Sequence, residues 1–308
     1  MIDADSARGT LLGLACGDAL GRPVEFNSEK TIADRHGTVT EMLGDGSHRQ
    51  PPGTITDDTE MALCIARSLA ERGGFDPGDV ADRFLDWYYT GPFDIGMMTA
   101  DALRRLDGGE SWEDAGRVVW EHRSEGQNAG NGSVMRCAPL AVAYAADPDS
   151  LVAASKQSSA ITHYDPRCQY GCAVLNLTIA GVARGAETPL RDALETVGED
   201  APEDLVTALV AVTTGEVPGT LRTSGYVVHA LQTALHDALN AEGVEEAIVT
   251  AVNRGGDADT IGAIAGAVAG ARFGVSGLPD RWLAAIDEAE EIERLATDLR
   301  ALEPKPVD

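Results

Sequence analysis

Lysine is nearly absent from this 308-residue chain: only Lys30, Lys156 and Lys305 occur, so arginine supplies the rest of its 24 basic residues. Acidic residues number 50, and the net charge is −26. Such a surface repels a phosphate backbone, which excludes a general nucleic-acid binder. Screening by salt weakens its self-repulsion, so a halophilic source is expected. The opening MIDADSARGT has no basic, apolar leader region. The longest small-apolar run, residues 261–271, is too short to span a bilayer and reads as a buried helix. Cys168 and Cys172 share a helix face, but no second Cys or His pair of zinc spacing accompanies them. With Cys16, Cys64 and Cys137 they read as reduced, buried thiols of a cytoplasmic protein with no membrane partner.

Sustained period-two alternation is also missing, as are hairpin turns between β-branched runs. Helix signals take their place. Asp76-Pro77, Ser111 with Asp114, Asp147-Pro148, Asp165-Pro166, Thr188-Pro189 and Pro202 with Glu203 each precede an apolar stripe. Gly73-Gly74, Gly108-Gly109, Gly185 and Gly243 close such stripes. Apolar spacing within them is three and four, as in Met61, Ile65, Leu69 and in Val80, Phe84, Trp87. No Pro/Ser linker divides the chain. The pattern predicts one all-α domain of about a dozen helices over residues 1–302. The charged stretch EEIERLATDLRALEPKPVD is expected to be solvated, with residues 303–308 a loose tail.

Two acid-rich knots stand out, about two hundred residues apart. One is Thr56-Asp57-Asp58-Thr59; the other is Gly255-Gly256-Asp257-Ala258-Asp259-Thr260. Each offers two carboxylates and a hydroxyl at a loop-to-helix junction. Converging carboxylates repel and need a countercharge, which a hard divalent cation supplies. Each knot alone is equally well an ordinary helix start, with Thr56 as cap and acids in the first turn. Two of the same chemistry make coincidence less attractive. Downstream of the second, Gly262, Gly266 and Gly270 recur at four-residue spacing. Each weakens a helix by about 1 kcal/mol relative to alanine, a cost that close helix–helix approach would justify. Such approach would hold Asp257 and Asp259 at a buried helix start.

Three further features carry weaker signals. Gly130, Asn131, Gly132 and Ser133 precede a predicted helix over 134–139, and free N–H groups at a glycine-rich helix start attract phosphate. Many ordinary helices begin the same way. Pro23 and its flanking glycines predict a turn that leaves Glu25 off the first helix, as a general acid/base or a surface acid. His163 reads as a ligand contact or, more commonly at a helix terminus, as a structural residue.

These stretches together resemble the ADP-ribosylglycohydrolase family, which includes the dinitrogenase reductase-activating glycohydrolases. The resemblance runs in order through GLACGDALGRPVEF, GTITDDTEMAL, GPFDIGMMTADAL, GNGSVMRCAPLA, ITHYDPRC, TSGYVVHAL and NRGGDADTIGAIAGAVAGARFG. Residues 185–220 and those after Gly274 carry little of it. It implies an all-α domain with two divalent cations, Mg²⁺ or Mn²⁺. Thr56, Asp57 and Asp58 would ligate from one side and Asp257, Asp259 and Thr260 from the other, with Asp259 the bridge. Glu25 matches a glutamate on a loop near the metals. Gly130, Asn131, Gly132 and Ser133 match the loop that holds the diphosphate of ADP-ribose. His163 and Tyr226 match cleft-lining positions, and Asp94 falls where the family has an acid near the substrate.

The activity implied is hydrolysis of the bond between ADP-ribose and a modified acceptor. Carboxylates would stabilise oxocarbenium character on the ribose, with Glu25, Asp58 and Asp257 the catalytic candidates. Thr223-Ser224-Gly225-Tyr226-Val227 looks like the arginine-specific branch, so protein ADP-ribosyl-arginine is the expected substrate. ADP-ribosyl-serine and a small ADP-ribosylated metabolite are alternatives. So are a non-catalytic, crystallin-like binding role and a dinuclear phosphohydrolase, which would yield AMP or phosphate instead.

Overall fold

Helix starts are built as the capping residues dictate. Asp76, Asp147 and Asp165 each accept a backbone N–H of the following turn while proline occupies the first helical position. Ser111 and Thr188 make no backbone cap; their hydroxyls donate to Asp114 and Asp192 instead. The computed structural model describes residues 2–307, among which there is no strand. Early helices are α1 (Ala4–Gly21), α2 (Glu29–His36), α3 (Asp57–Arg72), α4 (Pro77–Tyr89), α5 (Met97–Asp107), α6 (Trp112–His122), α7 (Ala138–Ala143) and α8 (Pro148–Ala160). Later ones are α9 (Pro166–Ala183), α10 (Pro189–Val197), α11 (Glu203–Thr214), α12 (Val227–Asn240), α13 (Val244–Asn253), α14 (Ala258–Phe273), α15 (Asp280–Leu283) and α16 (Ala289–Arg300). The all-α expectation holds; the helices exceed a dozen because short ones such as α7 and α15 leave no periodic stripe. No helix among the described residues is long and apolar enough to cross a membrane.

The core is organised around an antiparallel pair, α1 and α14. Every α14 residue from Ala258 to Ala271 is buried, ringed by α1, α9, α12 and α13. Glycines on α1 face those on α14: Gly9 meets Gly270, Gly13 meets Gly266 and Gly17 meets Gly262. A methyl group at Gly262 would sit 2.6 Å from the Gly17 carbonyl oxygen. The expected close approach is therefore real, and its second half is a stripe on α1 that the sequence also displays. Geometrically, the seam joins the C-terminal end of α1 to the N-terminal end of α14. Gly21 lies against Ala258 and Asp259, and Asp18 and Arg22 are thus brought near Asp259.

Three expectations need correction. The helix predicted over 134–139 does not form; residues 132–136 are turns and α7 begins at Ala138. Pro139 is the reason, since within a helix from 134 it would lack the N–H for the Met135 carbonyl and clash with it. The charged C-terminal helix is not solvated all round. Ile292, Leu295, Ala296 and Leu299 are buried at helical spacing against α1, α3 and α7, while Arg67 pairs with Glu291 at 2.8 Å. Residues 303–307 of the tail are not loose either, while Asp308 lies outside the described residues: the Val307 N–H donates to Ser150 Oγ (3.1 Å) and the Tyr144 hydroxyl to the Lys305 carbonyl (3.3 Å).

Candidate active site

Thr56 caps α3, accepting from the Asp58 N–H, so Asp57 and Asp58 stand in its first turn. The cap is fixed from behind by Asp18, which is fully buried in α1. Asp18 accepts from the Thr56 N–H at 3.0 Å, the Thr56 hydroxyl at 2.9 Å and the Thr59 N–H at 3.2 Å. These bonds oppose the burial that raises its carboxyl to about 6. α1 ends at Gly21, and a short 3₁₀ turn at Arg22–Val24 places Glu25 off the helix, as the proline predicted.

Backbone pairs stitch the remaining loops together. Ser28 bridges Gly255, with the Phe26 N–H donating to Gly256 O (2.7 Å) and the Gly256 N–H to Asn27 O (2.8 Å). Gly130 bridges Tyr226, with the Asn131 N–H donating to Gly225 O at 3.0 Å. Asn131 Nδ2 then reaches Asp257 Oδ2 at 2.7 Å. Asp57 and Asp58 of the first knot and Asp257 and Asp259 of the second line one cleft. Glu25, Asp257 and Asp259 each bring an oxygen within 4.8 Å of the others.

The result is a cleft of about 520 Å³. Glu25, Asp57, Asp58, Asp257, Asp259 and Thr260 form its acidic wall, and Gly130, Asn131, Gly132, His163, Tyr226 and Asp94 line it as well. Thr56 and Ser133 do not line it. Ser133 is buried beneath the glycine loop, its hydroxyl 2.9 Å from Ser159 Oγ.

Electrostatically the acidic wall is incomplete. Burial, reinforced by neighbouring carboxylates, holds Asp57, Asp58 and Asp259 well above the usual carboxylate range and pushes Glu25 to about 9. Burial also raises Asp257 and Asp94. Among the described residues, none of Asp57, Asp58, Asp257 and Asp259 has an arginine or lysine ion-pair partner. Asp58 Oδ1 is buried with no hydrogen-bond partner. A buried carboxylate oxygen without a donor is costly. An all-oxygen set of this kind suits a hard divalent cation.

Sequence reading missed four residues that build the site. Asp18 lies inside a quoted motif, where a buried acid on an apolar helix was the available signal. Arg22, fully buried, donates to the carbonyls of Asp45 (3.1 Å), Pro51 (2.9 Å) and Thr54 (3.1 Å), folding segment 43–54 beside the cleft. That segment delivers His48, whose Nε2 lies 2.7 Å from Glu25 Oε2 and 3.2 Å from Asp94 Oδ2. Its ring stands between Phe26 and Phe93, at centroid distances of 6.4 and 5.4 Å. Phe26 is exposed with φ 63°, a rare conformation for a bulky residue that is retained here beside Glu25. The fourth is Arg136, buried behind the glycine loop. No local pattern marks His48 or Arg136.

A family model described as ADP-ribosylglycohydrolase matches residues 2–307. The chain belongs to the ADP-ribosylglycohydrolase family. The ADP-ribosyl-[dinitrogen reductase] glycohydrolase of Rhodospirillum rubrum is 35% identical to this glycohydrolase over 97% of the chain and 96% of its own length. An ADP-ribosylarginine hydrolase of Pseudomonas putida (strain GB-1) is 34% identical, over 96% of the chain and 78% of its own length. A solved structure titled ADP-ribosylglycohydrolase-related protein complex superposes with a TM-score of 0.81 at 38% identity, covering 97% of this chain and 98% of that one. The hydrolase character implied by the sequence motifs stands with this membership.

Proposed function

We propose that this glycohydrolase releases ADP-ribose from arginine side chains of modified proteins, with two divalent cations, Mg²⁺ or Mn²⁺, between α3 and α14. The observation that carries the reading is the acidic wall itself: buried carboxylates without cationic partners, one oxygen of Asp58 unsatisfied, all facing a cleft. Thr56, Asp57 and Asp58 would hold the metals from one side, and Asp257, Asp259 and Thr260 from the other. When bound, the cations would supply charge for the ribose hydroxyls and lower the pKa of a bound water.

The side chains divide the remaining tasks. Gly130, Asn131 and Gly132 receive the diphosphate beside the acidic wall, Asn131 with its side-chain amide on Asp257 and Ser133 supporting the loop from below. His163 and Tyr226 border the bound nucleotide. Asp58 and Asp257 face the scissile ribose, where negative charge stabilises oxocarbenium character. Glu25, off the helix at the acidic wall and 2.7 Å from His48 Nε2, is placed to pass a proton to the departing acceptor nitrogen. His48 holds Glu25 and Asp94 side by side at the cleft mouth.

The acceptor assignment rests on the Thr223–Val227 stretch, on the arginine linkage printed in a relative's name, and on charge. The Asp94 carboxylate lining the cleft suits a guanidinium better than a neutral hydroxyl. Parallel assays on arginine-linked and serine-linked ADP-ribosyl peptides test this. Free ADP-ribose is expected roughly ten-fold or more faster from arginine, about 1.4 kcal/mol of discrimination. Faster release from serine, or turnover of small metabolites alone, would contradict the assignment.

We place the protein in the cytoplasm of a halophile. Its five cysteines are free and buried, and its net charge of −26 is best tolerated where salt screens it. Activity and melting temperature should therefore both rise from low ionic strength towards molar KCl. Maxima at low salt would refute the halophilic reading without touching the catalytic one.

A further inference from the structure

His163 sits at the junction of α8 and α9, 3% exposed, with its ring beneath the glycine loop. A methyl group at Gly132 would lie 2.8 Å from its Cε1 and 3.0 Å from its Nε2, and one at Gly130 would lie 3.3 Å from Nε2. Both glycines thus give the imidazole room to reach the cleft. Its other nitrogen, Nδ1, lies 2.7 Å from Thr162 Oγ1. Arg136 Nη2 lies 2.7 Å from that same hydroxyl.

These two contacts determine where the protons are. A guanidinium carries donors and no acceptor, so Thr162 Oγ1 accepts from Arg136. Thr162 is fully buried, and its single hydroxyl proton needs an acceptor. Among the described residues, Nδ1 of His163, at 2.7 Å, is the acceptor it meets. Were Nδ1 protonated, Oγ1 would face two donors and its own proton would be orphaned in the interior, an unfavourable arrangement. Arg136 is itself immobilised, with its guanidinium 4.4 Å from the Phe84 ring centroid and Nη1 on Met61 Sδ at 3.4 Å. The ring's backbone is pinned too, since the His163 N–H donates to Ser159 O at 2.7 Å.

We propose that Arg136 and Thr162 are positioning residues that lock His163 as the Nε2–H tautomer, a fixed neutral donor for an anionic oxygen of the ligand cradled by Gly130 and Gly132. Burial and the nearby Arg136 and Arg123 cations push this histidine down to about 3, so it stays uncharged through the physiological range. The site therefore recognises phosphate by a directed N–H rather than by a titrating cation. Only the identity of the ligand rests on the diphosphate reading above; the tautomer does not.

The test is read first in metal-free protein without substrate. Long-range ¹H–¹⁵N spectra of the uniformly ¹⁵N-labelled chain resolve its 6 histidines, and His163→Gln assigns the relevant one. The expected pattern is a protonated Nε2 and an unprotonated Nδ1, unchanged from about pH 5 to 8. Calorimetry with ADP-ribose and Mg²⁺ then follows. Thr162→Val is expected to scramble the tautomer and weaken ADP-ribose binding roughly ten-fold or more, as for a lost hydrogen bond to a charged oxygen. Thr162→Ser should restore both. A wild-type Nδ1–H tautomer, a His163 that titrates in that range, or a Thr162→Val protein with unchanged tautomer and affinity would each overturn the proposal. If the valine variant does not fold, the wild-type spectrum alone decides. Failure of the parent to bind ADP-ribose would count against the functional reading and leave the tautomer result standing.

Discussion

Asp257→Ala is expected to abolish ADP-ribose release and, with it, the stabilisation that Mg²⁺ or Mn²⁺ confers. Asp257 stands at the N-terminal end of α14, faces the cleft and takes the Asn131 amide at 2.7 Å. Its carboxylate is one of the oxygens that must share a cation for the acidic wall to remain ionised at neutral pH. Loss of an outer-shell partner alone typically lowers metal affinity or activity 10–100-fold. Asn131→Ala should fall in that range and Asp257→Ala should exceed it. Ligand-linked stabilisation gives a second readout: saturating metal raises the parent's melting temperature and leaves that of the alanine variant flat. Asp58→Ala separates electrostatics from folding. Its Oδ1 has no partner, and its Oδ2 accepts only from the Thr56 hydroxyl at 3.2 Å, which has Asp18 at 2.9 Å as an alternative, so relief of the buried charge should offset that loss and the metal-free variant should melt close to the metal-free parent. A substantially lower melting point would mean that Asp58 is structural. Parental turnover in Asp257→Ala would remove it from the catalytic set.

The second large effect concerns the seam that sets the acids in place. Gly13→Ala is expected to destabilise the protein by about 3 kcal/mol or more, because the added methyl group meets the Gly266 carbonyl, backbone that cannot rotate away. Separation of α1 from α14 would also pull Asp18 and Arg22 from the α14 start, so metal affinity should fall with stability. Gly219→Ala is the control, since nothing lies within 4 Å of a methyl group there and its backbone is not left-handed. Thermal melts with and without metal read both effects; roughly 5 °C or more is expected for Gly13→Ala and almost none for Gly219→Ala. A Gly13→Ala protein that melts and binds metal like the parent would show that the seam can yield.

Much of the site was legible because its chemistry is written in contiguous knots. TDDT and GGDADT announce themselves as paired oxygens at helix starts, and the α14 glycines state the need for close approach. The matching α1 stripe at Gly9, Gly13 and Gly17 has the same spacing but is not singled out, because it lies upstream of the acid knots rather than beside one. The misplaced helix at 134–139 came from weighing glycine and asparagine as a helix start above Pro139 as a helix interruption. In α16, dense charge concealed the buried spacing of Ile292, Leu295, Ala296 and Leu299. His48, Arg22 and Arg136 were illegible for a different reason. Their roles depend on contacts with distant residues, such as Glu25 with His48 and Thr162 with Arg136, and no local pattern encodes them.

The most direct measurement is product identification by mass after incubation with ADP-ribosyl-arginine peptide in molar salt, with Mg²⁺ or Mn²⁺ and with EDTA. The account predicts free ADP-ribose and unmodified arginine peptide with metal, and neither with EDTA. Release of AMP or phosphate would instead identify a phosphohydrolase, and undiminished ADP-ribose release in EDTA would contradict the metal-dependent site between α3 and α14.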